Sequence, residues 1–367
     1  MAIDSSSQPT SSFESPVSAR RVEMISTPRA RISMITGLNW VKYWMGFKNG
    51  GGMATSVPQV SRELRKLGYE VLINQPKDGF DILHIHNPLF ASYLLASKTR
   101  GRKPVVIHAR HIPELLKGGI VIGDLLYRPF RWYSRFLYGL ADVVVCATPY
   151  VREVLVKEGI KPRMEVVPNG VNRSVFRNSE EGRRRFRDKH GFEEDDFIVL
   201  SVGLTLPRKG VRTFIEVARA LEKEGVKFLW VGSSESFLQK ADLNGVSSNA
   251  VFMGHLPFAQ MPDAYSASDV FFFPTYAESY GNVLFEAASC GKPLIIRDIP
   301  IYQDLFLHGE NCLKGSSDKD FTSRVADILK DDRLRRDLEK GSLRTAEEHD
   351  MGRCAVELAR VYEGLLC

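Results

Sequence analysis

The chain has 367 residues, 44% apolar and 26% charged, the make-up of an ordinary globular protein and not of a disordered or fibrous one. At about 150 residues per domain, this length predicts two domains, each able to bury a core without disulfides or a structural metal. The net charge of +6 is unevenly spread: residues 1–180 hold 25 Lys and Arg against 14 Asp and Glu, and residues 181–367 hold 25 against 30. A basic first half suits a polyanionic surface, either nucleic acid or an anionic membrane.

Residues 1–29 contain eight serines and little that can pack, so they are expected to form a disordered tail. The tail lacks the apolar centre of a secretory signal, and no run approaches about 18 apolar residues, so a cytoplasmic chain without a spanning helix is expected. Short apolar runs at 32–35, 71–73, 82–85, 105–107 and 143–147 read as strands buried on both faces, with helical spacing at 56–67 and 150–157 between them. A polar, very basic stretch at 173–190 follows. The alternation then restarts with strands at 197–202, 227–231, 250–253, 270–273 and 293–296 and helices at 211–223, 280–289 and 318–328. The expected fold class is α/β, two Rossmann-like, doubly wound parallel sheets side by side, with ligands beyond the carboxyl ends of the strands. A last amphipathic helix at 352–366 needs a docking surface. Cys146, Cys290, Cys312, Cys354 and Cys367 are odd in number and widely spaced, which fits reduced thiols rather than a disulfide framework or a zinc site.

Three segments carry chemistry. In Glu278-Ser-Tyr-Gly-Asn-Val-Leu-Phe-Glu286, a loop carboxylate is followed by one two turns into a helix. The first suits sugar hydroxyls and the second a ribose, and the helix N-terminus is left for a diphosphate. In Ser201-Val-Gly-Leu-Thr-Leu-Pro-Arg-Lys209-Gly210, a glycine turn at Gly203, the basic pair Arg208 and Lys209 and a helix start form a phosphate-binding device, though not a Walker loop. Asn49-Gly50-Gly51-Gly52-Met53 lets backbone approach a ligand ahead of a helix. Asp318-Lys-Asp320 has the form of a metal-binding pair but sits where helix capping favours Asp, so no metal is expected.

These elements, in this order, resemble the retaining glycosyltransferases of family four, which have the GT-B fold of two Rossmann-like domains facing across a cleft. Further agreement lies in Asp81-Ile-Leu-His-Ile-His86, Val167-Pro-Asn-Gly-Val171, Val251-Phe-Met-Gly-His-Leu-Pro257, Ala267-Ser-Asp269 and Glu286-Ala-Ala-Ser-Cys-Gly-Lys-Pro293. The resemblance implies an acceptor-binding domain at 30–172, a nucleotide-sugar domain at 173–349, and a helix at 350–367 packing back on the first domain. It implies no tightly bound cofactor and a donor that is most often a UDP-sugar. Lys209 would hold the diphosphate, Glu286 the ribose, and Glu278 with the backbone at Tyr280, Gly281, Asn282 and Val283 the sugar, while Gly51 and Gly52 would line the donor from the other domain. The chain departs from the family at Leu204, where Arg is usual after the first glycine, which puts more weight on Lys209 and Arg208. In this respect it is similar to the diacylglycerol glucosyltransferases, as it is in His111-Ile-Pro-Glu-Leu-Leu-Lys-Gly118. The family also places a histidine at the strand end written here Pro104-Val-Val-Ile-His108-Ala-Arg110-His111. Position favours Arg110 and residue type favours His108 or His111. His84 and His86 are assigned to strand-end packing or acceptor contacts.

Residues 118–140 interleave arginines with aromatics (Tyr127, Arg128, Phe130, Arg131, Trp132, Tyr133, Arg135, Phe136, Tyr138), and residues 42–48 have the same character. Such a mixture suits the headgroup zone of a bilayer. Arg183-Arg-Arg-Phe-Arg187 either adds to it or opens a helix. The expected activity is retaining transfer of a hexose, from UDP-glucose or UDP-galactose, to a membrane glycerolipid such as diacylglycerol, by an enzyme peripheral on the inner face of the cell membrane. The alternatives are a soluble sugar or cell-surface glycan precursor as acceptor, or a GT-B sugar-nucleotide epimerase or hydrolase. A nucleic-acid partner is disfavoured, since no binding motif for one occurs.

Overall fold

The computed structural model describes residues 28–37, 52–75, 79–116, 123–233 and 241–367, with the backbone alone for 52–54. The expectations placed on residues 1–27, on Gly51, on residues 42–48 and on residues 118–122 lie outside the described residues.

The first half forms a six-stranded parallel sheet from β1 (Arg31–Ile35), β2 (Glu70–Ile73), β3 (Ile82–Ile85), β4 (Val105–His108), β5 (Val143–Cys146) and β6 (Arg163–Val166), in the order β2-β1-β3-β4-β5-β6. Its helices are α1 (Gly52–Lys66), α2 (Phe90–Thr99), α3 (Gly123–Tyr138) and α4 (Pro149–Lys157). Strands β3, β4 and β5 are buried at every position, which explains their continuous apolar runs, since helices cover both faces of a parallel sheet.

The second half repeats the plan. Helix α5 (Glu180–His190) leads into β7 (Ile198–Val202), α6 (Val211–Ala220), β8 (Lys227–Val231), β9 (Ala250–Gly254), α7 (Met261–Ala267) and β10 (Val270–Phe273). Then come α8 (Asn282–Ser289), β11 (Leu294–Arg297), β12 (Leu313–Gly315), α9 (Asp318–Lys330) and α10 (Asp332–Glu348). The strand order is β12-β11-β10-β7-β8-β9, again parallel throughout. Two such sheets are the expected α/β architecture.

The chain passes between the two layers at Val171 and returns beside it: Val171 N donates to His349 O and Met351 N to Val171 O, each at 2.9 Å. Helix α11 (Met351–Leu366) then packs on α1 and β1, where Leu358, Val361 and Tyr362 join Val57, Leu64, Ile32 and Met34 in one core. The first layer supplies the docking surface that the last helix needs.

Several details differ from expectation. Helix α1 begins at Gly52, four residues earlier than its apolar spacing indicates. The basic stretch at 173–190 is largely helix α5, capped by the Ser179 hydroxyl and ended by Gly191 in the left-handed region. One of its arginines is buried: Arg187 is 1% exposed and donates to the carbonyls of Ala267, Glu193 and Asp196 and to Asp269. Arg183 and Arg185 pair with Asp269 and Asp263. Arg183 and Arg187 are thus tied into the internal structure, whereas Arg184 and Arg185 lie on the surface. Helix α10 is missing from the sequence reading because its apolar stripe is short: beyond Leu338 it buries Gly341, Ser342, Thr345 and Ala346. A side chain at Gly341 would collide with the Glu310 carbonyl. Edge strands β6 and β12 are too polar or too short to read.

Candidate active site

The carboxyl ends of both sheets face the crevice between the layers. On the second layer, β7 ends at Val202, Gly203 follows it, and the chain reaches α6 through a short turn, Pro207–Lys209. Gly210 has φ 78°, and a Cβ there would strike the Pro274 carbonyl at the end of β10, so only glycine lets this turn lie against that strand. The close approach brings Lys209 onto Glu278. Lys209 Nζ bonds Glu278 Oε1, Thr275 Oγ1 donates to the same oxygen at 3.3 Å, and Arg208 Nη1 stands 3.8 Å from it. The Glu278 side chain is 10% exposed. Burial works to raise its carboxyl, but Lys209 and Arg208 together overcome that and hold it below the ordinary value. Burial and Arg208 lower the Lys209 ammonium, against the pull of Glu278.

Helix α8 starts after Gly281, whose φ is 85° and whose Cβ would lie 2.5 Å from the Tyr302 hydroxyl. No side chain caps it, so the first N–H groups, at Asn282 and Val283, are left for a ligand. Tyr280 stacks on Phe285 at 4.4 Å. One turn in, Glu286 Oε2 accepts from the Tyr265 hydroxyl at 2.8 Å, and burial pushes its carboxyl up to about 7. Tyr265 is a contact that the sequence reading missed.

On the first layer, β3 and β4 present a column of imidazoles: His84 stacks on His86 at 4.0 Å, and His108 lies 5.2 Å from His86. Arg110 Nε donates to His86 Nδ1 at 3.1 Å and its Nη1 to Ser56 Oγ of α1 at 3.3 Å. Burial lowers all three histidines, His84 to about 3, and Arg110 lowers them further, with His84 also acting on His86. Burial lowers Arg110 too, but only to about 10, so it stays charged. Burial, Arg110 and, from across the crevice, Arg208 push His111 down to about 4. Of the three positions left open at this strand end, His108 is buried within the column, whereas Arg110 and His111 are partly exposed.

The nitrogens of His84, His86 and His108 lie within 4.8 Å of one another, near enough to suggest a cation. Their chemistry does not suit one. The donation from Arg110 leaves the His86 proton on Nε2, and the guanidinium adds charge of the wrong sign. His84 Nδ1 is in turn 2.6 Å from the hydroxyl of Tyr362 on α11. At the crossing, Asn169 Nδ2 donates to Asn282 Oδ1 at 2.9 Å. Its own carbonyl oxygen has no partner of ordinary geometry, yet lies near enough to favour charge on His108. Asn169 therefore touches both walls. The Pro-Asn-Gly turn was its only sequence signal. Asp320 caps α9 in a reciprocal box with Ser317, consistent with the capping assignment.

A polar cavity of about 370 Å³ lined by Lys292, Arg183, Asp269 and Glu339 lies at the amino ends of β7, β10 and β11, away from the crevice. Helix α3 turns Trp132 (65% exposed) and Phe136 outward in one exposed pair, their rings 4.2 Å apart. Its Arg131 and Arg135 both lean on Glu158. No helix among the described residues is long and apolar enough to cross a membrane.

Two Rossmann-like layers facing across such a crevice define the GT-B class of glycosyltransferases. Residues 182–344 match the family described as Glycosyl transferases group 1, and residues 72–175 match Glycosyltransferase Family 4. The alpha-galactosylglucosyldiacylglycerol synthase of Streptococcus pneumoniae is 30% identical over 270 residues, 69% of this chain and 70% of that protein. The processive diacylglycerol alpha-glucosyltransferase of Acholeplasma laidlawii is 27% identical over 287 residues, 77% of this chain and 84% of that protein. Among solved structures, sucrose-phosphate synthase from Thermosynechococcus elongatus superposes with a TM-score of 0.76 at 18% identity, covering 92% of this chain and 99% of that one. Anabaena HepE in complex with UDP and glucose does so at 0.72 and 16%, covering 92% and 100%. The chain belongs to the family-four glycosyltransferases and is an enzyme of that class.

Proposed function

We propose that this glycosyltransferase moves a hexose, with retention, from a UDP-sugar to the hydroxyl of a membrane glycerolipid. The observation that carries the reading is the convergence of Lys209, Arg208 and Glu278 in one buried cluster, facing His111 and Arg110. The ammonium of Lys209 and the guanidinium groups of Arg208 and Arg110 outnumber the carboxylate of Glu278 and favour a diphosphate in the crevice. In this scheme residues 173–349 bind the donor. Lys209 and Arg208 take the diphosphate, assisted by the free N–H groups of Asn282 and Val283, Glu286 accepts from the ribose hydroxyls, and Glu278 from the sugar. Gly203 and Gly52 let backbone approach the donor. The donor set calls for no metal, since the cations are already supplied by the chain.

As the acceptor oxygen bonds the anomeric carbon, the bond from that carbon to the diphosphate breaks. The acceptor proton passes to the leaving phosphate oxygen on the same face. Arg110 and His111 stabilise that oxygen from the facing wall, and His108 supports them. Glu278 is not required as a nucleophile; one of its oxygens is already committed to Lys209 and Thr275.

The lipid acceptor is supported by the two relatives that glycosylate diacylglycerol lipids and by the exposed Leu125, Trp132 and Phe136 on α3. Residues 30–172 would dock on the inner face of the cell membrane through this helix. The test is incubation with labelled UDP- and GDP-sugars and total membrane lipid. Label entering the organic phase with one UDP-hexose is the expected result. Label confined to water-soluble products would reassign the acceptor, and nucleotide release without any glycoside would point to a hydrolase or epimerase.

A further inference from the structure

An apolar groove of about 270 Å³ opens on the first layer, between the ends of β1 and β2 and the start of α2. Its walls are Ile35, Leu89, Ala91 and Leu94, with Asn74 and Lys98 its two most polar side chains. Asn74 contributes little polarity, because its amide is turned onto Thr36: Oδ1 accepts from Thr36 N at 2.8 Å and Nδ2 donates to Thr36 Oγ1 at 2.9 Å. The groove is therefore an apolar trough with a single ammonium beside it.

We infer that this groove holds the upper part of one acyl chain of the acceptor lipid. The inference rests on the lipid-acceptor reading above and adds a site to it. Three observations commit the groove to that occupant. First, the trough runs out onto exposed apolar surface: Leu94 forms its wall and is itself 45% exposed, and Phe90, on the same helix, is 66% exposed. The ring contact between Tyr93 and Tyr133, at 6.4 Å, joins α2 to the outward-facing α3. A chain leaving the groove thus passes over the exposed apolar side chains of α2, the helix that packs beside α3. Second, its inner end adjoins the imidazole column. The segment that forms this wall is continuous with His86, and His86 N and Asn87 Nδ2 both bond the carbonyl of Ile35. A lipid anchored there has its head directed toward the crevice. Third, the volume equals roughly nine water molecules at ~30 Å³ each, room for part of one chain but not for a whole lipid. Lys98 matches the anionic headgroups of neighbouring lipids.

The test uses the full chain and dioctanoylglycerol below its micellar concentration, titrated calorimetrically. Ala91 is exposed, so Ala91→Trp fills the trough without disturbing the core, and Leu94→Gln is a second, smaller change. Wild-type protein is expected to bind dioctanoylglycerol. Ala91→Trp is expected to weaken that binding by about tenfold or more, because several methylenes lose their burial, while UDP affinity and binding to anionic vesicles stay unchanged. Equal affinity in wild type and Ala91→Trp, or no binding by wild type, overturns the proposal. Equal loss of vesicle binding in Ala91→Trp also overturns it, since the groove is then only part of the membrane face. A groove that binds the lipid in a protein that glycosylates no lipid would leave the site standing and remove the acceptor assignment instead.

Discussion

On the donor wall Lys209 and Arg208 hold Glu278 in its charged form, whereas on the facing wall burial and Arg110 hold His84, His86 and His108 neutral. Both walls sit at the same place in the same architecture, the carboxyl ends of a parallel sheet. The contrast follows from the ligand each is proposed to meet. A diphosphate brings two or more negative charges and needs fixed cations. An acceptor hydroxyl is neutral, and imidazoles kept uncharged near it neither repel Arg110 nor demand counterions. Burying charge is tolerable on the donor wall only because each charge has a partner in place, since an unpaired buried charge costs several kcal/mol.

The sharpest way to break this contrast is Lys209→Ala. It removes the principal cation and leaves Glu278 with Arg208 alone at 3.8 Å. Transfer measured as kcat/KM with the true donor should fall by about 10²–10³-fold, the usual loss for a group that stabilises the leaving charge. Circular dichroism should show the fold retained. Full activity would remove the donor assignment. On the opposite wall the corresponding change is Tyr362→Phe, which leaves His84 Nδ1 buried without its 2.6 Å partner. An orphaned buried nitrogen costs about 1–3 kcal/mol, so urea unfolding should shift by that amount, with the donor affinity untouched. A smaller effect is expected outside the crevice: Trp132→Ser with Phe136→Ser should weaken flotation with anionic vesicles by about tenfold. Unchanged flotation would detach α3 from the membrane.

The two walls also differ in how readable they are from the sequence. Strands β3, β8 and β10 match the expected ranges residue for residue, because buried parallel strands announce themselves by mostly apolar runs. The groups proposed to hold the donor lie in two short segments, so spacing and a helix start bring them to notice. The imidazole column depends instead on distant partners. His84 meets Tyr362, 278 positions away, and Asn169 meets Asn282, 113 positions away. Neither spacing nor periodicity encodes such pairs. The basic run at 183–187 leaves a membrane face and a helix start both open for a related reason, since the counterions Asp263 and Asp269 come from another element. The same holds for Arg131 and Arg135, which read as free membrane-seeking charge until Glu158 is seen beneath them.

The smallest expected effect sharpens the contrast through pH. Glu286 titrates at about 7 because burial disfavours its carboxylate, whereas His84 titrates at about 3 and the other two column histidines well below their ordinary value. Between pH 6.5 and 8 the histidine column is therefore neutral throughout and contributes no slope, while Glu286 loses its proton. The deprotonated group accepts both ribose hydroxyls and the protonated one competes for them, so UDP affinity should rise with pH through 7. The change is a few-fold, about 1 kcal/mol or less, the scale of one exchanged hydrogen bond. Glu286→Gln removes the titration while keeping an accepting oxygen, so its calorimetric Kd should follow only the nucleotide's own protonation. A rise in Glu286→Gln as large as that of the wild type would move the titrating group elsewhere and detach Glu286 from the ribose.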